Sequence, residues 1–247
     1  MKTEGITVDV LAIASHPDDI ELTCGGTIAK LVRTGHSVAI AELTEGELGT
    51  RGSREIRAEE ARKAAEILGV VERRNLRMPD GNIEVNDANM KKLISLIREF
   101  RPRFLLIPPP NERHPDHVHT HVLCREAWFY AGLTKIKTTV GGKAQESYRP
   151  FMYFCYMQKF EFNPTFIVDI TGYHDVRMNA IRAHASQFHD PSRNEPETLL
   201  SRPNFMNIVE TRAQYYGQMI GVEFGEPFLS PVPIGVDTLF ALKVAGG

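Results

Sequence analysis

The chain has 247 residues, 42% hydrophobic and 24% charged, with a formal net charge of -2. That length suits one domain with a sizeable core, and the small net charge excludes a global basic field that would draw nucleic acid. Cys24, Cys124 and Cys155 are odd in number, far apart and without a CxxC, and no apolar run approaches the ~20 residues of a membrane span. With no hydrophobic signal core in Met1-Lys2-Thr3-Glu4-Gly5, these features predict a cytoplasmic protein with reduced, buried thiols and no membrane partner.

Strand-like and helix-like segments alternate through the first 130 residues. The apolar run Val8–Ala14 reads as a buried parallel strand, followed by a helix over Glu21–Thr34 closed by Gly35. Ser37–Leu43 is a second strand. Ser53–Leu68 is a charged amphipathic helix with Ile56, Ala64, Ile67 and Leu68 for its inner side, ended by Gly69. A short strand over Arg74–Met78 leads into the turn Pro79-Asp80-Gly81-Asn82, and Asn86 caps a helix to Phe100. Phe104–Ile107 is the fourth strand and Val118–Tyr130 the next helix. Later, Phe151–Gln158 and Thr165–Ile170 read as strands, Tyr173–Gln187 and Phe205–Ile220 as helices, and His189–Asn204 as a polar loop. The order predicts an α/β, Rossmann-like three-layer fold with a mostly parallel sheet, formed as a single domain over 1–247. A strand order of 3-2-1-4 makes strands one and four neighbours, and ligands in such folds sit beyond the carboxyl ends of the strands.

Two turns at those ends carry the chemistry. His16-Pro17-Asp18-Asp19 follows the first strand, and His114-Pro115-Asp116-His117 follows the fourth. Imidazole and carboxylate together suit Zn2+ and similar divalent ions, and a catalytic ion takes three protein ligands. His16 and Asp19 can reach one point before the turn, and His117, opening its helix, can point back to complete the set. Asp18 then stands free as a base, and His114 as a proton donor to a leaving amine. A helix N-cap explains the acids without a metal, but not His16. A local His117/His121 pair is possible at i,i+4, while His119 and His121 are expected to be peripheral.

Gly25-Gly26 at the first helix could cradle phosphate, but lacks a nucleotide-binding spacing and is read as close helix–sheet packing. In the loop after the second strand, Arg51 and Arg54 can grip a carboxylate or be solvated. Arg113 beside His114 adds a third cation, and together they hint at an anionic substrate.

At these residues the chain resembles the zinc-dependent N-acetylglucosaminide deacetylases of the LmbE/PIG-L type. The likeness rests on Ala14–Asp19, on Gly46-Glu47 with Gly49-Thr50-Arg51-Gly52, on Arg113–His117, and on Tyr216-Gly217 with Gly225-Glu226-Pro227-Phe228. Within that family it is most similar to the branch that deacetylates N-acetylglucosaminyl-malate in bacillithiol synthesis. The resemblance implies His16, Asp19 and His117 as ligands to Zn2+ or Fe2+, Asp18 as general base, and His114 as cationic partner or general acid. It also implies a small-molecule N-acetylglucosamine conjugate as substrate and a trimeric or hexameric assembly. Asp116 is expected to orient His114 or His117, and Arg51, Arg54 and Arg113 to bind substrate. The rivals are a non-haem iron oxygenase, which uses a similar two-His, one-carboxylate set, and a non-catalytic sugar-binding protein.

Overall fold

Seven strands order as β3-β2-β1-β4-β7-β9-β8 in the computed structural model, which describes residues 6–192 and 194–242. The pentapeptide considered for a signal core lies outside the described residues. Strands β1 (Val10–Ala14) and β2 (Val38–Thr44) are buried at every position, as central parallel strands covered on both faces must be. They pair in parallel with each other, with β3 (Glu72–Met78) and with β4 (Phe104–Ile107), giving the expected 3-2-1-4 order. Strand β7 (Met152–Tyr156) continues the parallel run beside β4. Residues 139–144 form a separate two-stranded hairpin, β5 (Thr139–Val140) and β6 (Lys143–Ala144).

Successive side chains alternate between two cores. Leu11, Ile13, Leu105 and Ile107 pack on one face with Leu93, Ile97 and Phe100 of α3 (Asp87–Phe100) and Leu123 of α4 (Pro115–Ala131). Val10, Ala12, Val38 and Ile40 pack on the other with Ile28 of α1 (Asp19–Arg33) and Ala64 and Leu68 of α2 (Arg54–Leu68). The three cysteines are free and buried, and no described helix is long and apolar enough to cross a membrane.

Several local departures have physical causes. Helix α1 starts at Asp19 and is broken at Cys24, whose φ is -136°. The amides freed at the break are satisfied by one carboxylate: Gly26 N and Thr27 N donate to Glu226 at 2.9 and 2.7 Å. A Cβ on Gly26 would lie 2.6 Å from Ile170 Cδ1, so the Gly-Gly pair serves close packing. On α2, Ile56 and Ile67 are exposed. The inner side is instead Arg57, Glu60, Ala61, Ala64 and Leu68, because the two charged residues have buried partners. Glu60, for example, accepts from the Ser186 amide and hydroxyl at 2.6 and 2.7 Å.

The carboxyl half differs more. The helix predicted over Tyr173–Gln187 is α5 (His174–Arg182) between two 3-10 turns, and α6 covers Phe205–Gln218. Strand β9 (Gly225–Leu229) was not predicted, since Gly225 and Pro227 read against a strand. It lies antiparallel between β7 and β8 (Phe166–Asp169), pairing with β7 only at Cys155 and Tyr156, so Pro227 is spared a ladder bond on that side.

Candidate active site

The turn after β1 and the start of α4 are pinned together from beneath. Ser15 Oγ lies 2.8 Å from Thr120 Oγ1 and 3.3 Å from Asp116 O, fixing the first two turns of α4 over the end of β1. His114 caps α4, its Nδ1 accepting from the Asp116 amide at 3.2 Å. Helix α4 therefore begins three residues before the predicted Val118, which places His117 in its first turn. The rings of His16, His114 and His117 form a triangle with centroids 4.8, 5.0 and 5.3 Å apart.

His16, Asp19 and His117 present donor atoms within 4.8 Å of one another. His117 Nε2 is 3.3 Å from Asp19 Oδ1, and His16 Nδ1 is 3.5 Å from Asp19 Oδ2. The other nitrogen of His16, Nε2, faces Asp80 Oδ1 at 3.1 Å and Asp116 Oδ2 at 3.3 Å. Two carboxylates place the proton on Nε2 and leave the Nδ1 lone pair for the set. Two imidazole nitrogens and a carboxylate oxygen fit a divalent ion of the zinc or ferrous type. A second grouping, His16, His114 and Asp116, shares His16. Its carboxylate, however, is committed to the Gly81 and Ile83 amides at 2.8 and 3.4 Å. Asp116, expected to orient His114 or His117, directs its carboxylate at His16 Nε2, as Asp80 does.

Electrostatics separate the carboxylates. Burial pushes Asp18 above the usual carboxylate range, with Arg57 pulling the other way. Asp19 is equally buried, yet His117 and His16 hold it well below that range. Burial works against Asp80 too, but hydrogen bonds from His16 and the Leu48 amide hold it down at about 2. Burial lowers His114, and so do the neighbouring imidazoles of His16 and His117. Asp18 also occupies a strained backbone, with φ at 125°, a conformation that costs on the order of 1–3 kcal/mol and is concentrated at functional positions. Arg57 braces that turn. It donates to Pro17 O at 3.1 Å and Gly46 O at 2.8 Å, and its Nη2 lies 3.8 Å from Asp18 Oδ2. A Cβ on Gly46 would fall 1.9 Å from Arg57 Nη1, so glycine is required there for the arginine's approach.

The three arginines expected at the substrate part company. Arg51 is buried, donating to Phe188 O, Pro196 O and Glu195 O; it ties those residues together and does not line the cavity. Arg54 is exposed beside Glu45 and Glu47, also away from the cavity. Arg113 alone lines it. His119 is exposed and His121 Nδ1 lies 2.9 Å from Pro108 O, both peripheral as expected.

Sequence reasoning missed Asp80, Arg57 and Gln158. Gln158 Nε2 sits 3.2 Å from Asp19 Oδ1, just past β7. Asp80 and Gln158 each follow the carboxyl end of a parallel strand, and that position was the available signal. Arg57 had none, being one charge among eight on α2. These groups open into a cavity of about 1030 Å³, also lined by α6 residues including Phe205, Ile208, Arg212 and Tyr215.

A three-layer α/β fold with a His/Asp donor set, a buried carboxylate outside that set and another imidazole at the carboxyl edge of its parallel strands is arranged as metal-assisted hydrolases are. Comparison with known proteins narrows this. The family described as PIG-L, GlcNAc-PI de-N-acetylase, matches residues 11–128. A diacetylchitobiose deacetylase of Thermococcus kodakarensis is 34% identical over 231 residues, covering 88% of this chain and 80% of its own. A probable N-acetyl-alpha-D-glucosaminyl L-malate deacetylase 2 of Bacillus cereus is 33% identical, but over only 44% of this chain and 55% of its own. The crystal structure of the conserved protein TT1542 from Thermus thermophilus superposes with a TM-score of 0.84 at 34% identity, covering 93% of this chain and 97% of that one. The chain belongs to the PIG-L family of deacetylases.

Proposed function

We propose that this protein hydrolyses the N-acetyl group of an N-acetylglucosaminyl conjugate, releasing acetate and the free amine. The observation that carries this reading is the division of labour around His16. Asp19 and His117 share a donor set with it, while Asp18 and His114 flank the set uncommitted to it. A divalent ion held by His16 Nδ1, Asp19 and His117 Nε2 would supply Lewis-acid polarisation of the acetyl carbonyl and acidify the attacking water. Asp18, its carboxyl raised by burial, takes the proton from that water. His114 lines the same cavity, and with Nδ1 accepting from the Asp116 amide its Nε2–H supports the developing oxyanion, while the proton held by Asp18 passes to the departing nitrogen. Asp80 and Asp116 keep His16 in the tautomer the donor set needs.

The finer reading of the substrate is N-acetylglucosaminyl-malate, as in bacillithiol synthesis. Of the arginines first taken to support it, Arg113 remains at the cavity. A second reading, an N-acetylated oligosaccharide, is favoured by the likeness to a diacetylchitobiose deacetylase across most of the chain. The test is acetate release from the malate glycoside, diacetylchitobiose and N-acetylglucosamine, with chelator and then with restored zinc or ferrous iron. Chelator-sensitive release from a glycoside supports the reading. No release from any of the three with metal restored refutes it.

A further inference from the structure

Arg212 lies outside the 11–128 segment shared with the family model, on the cavity face of α6. Phe205, Ile208, Arg212 and Tyr215 follow one another at intervals of three, four and three, so they share one side of the helix. All four line the cavity that also holds the His/Asp cluster. The Arg212 side chain is half-buried and makes one hydrogen bond, from Nη2 to Lys159 O at 3.3 Å. That leaves most of its five donors free. Among the described residues no carboxylate comes within 4.0 Å of it.

Two further cations are brought to the same place by a single buried acid. Glu112 accepts from the Arg113 amide through Oε1 and from the Phe160 amide through Oε2 at 2.9 Å, tying the loop after β4 to the segment after β7. Lys159 is next to Arg212, and Arg113, Lys159 and Arg212, drawn from three stretches distant in sequence, all line the cavity. The other acids lining the cavity include Asp18, Asp19 and Asp80, which belong to the His/Asp cluster and its supports. Glu161, exposed, and the buried Glu112 both lie near enough to act electrostatically on Arg212, but neither comes within ion-pair distance of it.

We propose that Arg212 is a specificity-determining residue, reading an acidic group on the aglycone with Lys159 beside it and Arg113 in the same cavity. This rests on the deacetylase reading for the sugar's placement. An N-acetyl group at Asp18 and His114 directs the rest of the substrate toward α6. A guanidinium with free donors in a partly desolvated wall pairs well with a carboxylate or phosphate and poorly with a neutral sugar.

Binding of N-acetylglucosaminyl-malate and of diacetylchitobiose to chelator-treated protein, measured by calorimetry, tests it without turnover. The wild type is expected to prefer the acidic glycoside. Arg212→Gln should lower that preference about 10- to 100-fold, the loss of one charge-assisted hydrogen bond, and Arg212→Lys should keep part of it. Lys159→Gln, at an exposed position that does not test folding, should lower it by a smaller factor. A wild type with no preference for the acidic glycoside, or Arg212→Gln and Lys159→Gln proteins with the preference intact, overturns the proposal. Acetate release by the metal-restored enzyme is read separately. Preference without release refutes the hydrolase reading alone, and release without preference refutes the role of Arg212 alone.

Discussion

Removing the carboxylates behind His16 is the sharpest test of the metal site. Asp116 and Asp80 approach the same nitrogen at 3.3 and 3.1 Å, so each stands in for the other. Carboxylates that orient a metal-bound imidazole are each worth roughly 10- to 100-fold in metal affinity, or about 1.4–2.7 kcal/mol. Asp80→Asn keeps an acceptor for the Leu48 amide, which donates to it at 2.8 Å, and should weaken zinc binding toward the lower figure. Asp116→Asn also disturbs the amides of Gly81 and Ile83 and should cost more. The double variant should lose more than the sum, because only then is the Nε2 proton without a carboxylate. Competition against a chromogenic chelator, on protein shown folded by circular dichroism, gives the affinities. A double variant that binds zinc as tightly as wild type would falsify the assignment of His16 Nδ1 as a ligand atom.

Two other outcomes follow from the same geometry. Asp18→Asn should cut acetate release by ~100-fold or more while zinc still binds stoichiometrically; near-normal turnover would remove the residue from its role as base. Arg73 is buried between Glu21 and Glu42, with Nε 2.6 Å from Glu42 Oε1. Burial opposes ionisation of Glu21, but Arg73 and His184 hold its carboxyl far below the ordinary glutamate value. A depressed carboxyl stabilises the fold above its unfolded pKa, and the contribution is lost as pH falls below about 4.3. Arg73→Met should therefore cost about 3–5 kcal/mol at pH 7. It should also reverse the acid limb, since Glu42 then loses its cation, Glu21 keeps only His184, and burial favours protonation of both. Urea midpoints between pH 3 and 7 decide it, and an unchanged pH slope would contradict the argument.

How much of this was legible beforehand depended on whether the signal was local. The order of the first four strands and the helices between them were readable, because apolar runs, caps and glycine stops act within a few residues. So was the His16, Asp19 and His117 grouping, since the turns follow neighbouring parallel strands and such turns converge at one sheet edge. Strand β9 was missed because Gly225 and Pro227 oppose the propensity signal, and only pairing with β7 and β8 makes that segment a strand.

Side-chain destinations were decided by the tertiary structure. Three arginines lay near the motifs in sequence, yet Arg51 spends its donors on the carbonyls of a loop about 140 residues away. Arg57, indistinguishable in sequence from the other charges of α2, is buried against the strained Asp18 turn. Asp80 looked like a turn residue and is a partner of His16. Arg212 carried no motif at all and reaches the cavity because α6 packs over it. Composition and periodicity determine which elements form and where their ends lie. Which charged groups meet across those ends depends on long-range packing, where burial makes a partner obligatory and geometry selects it.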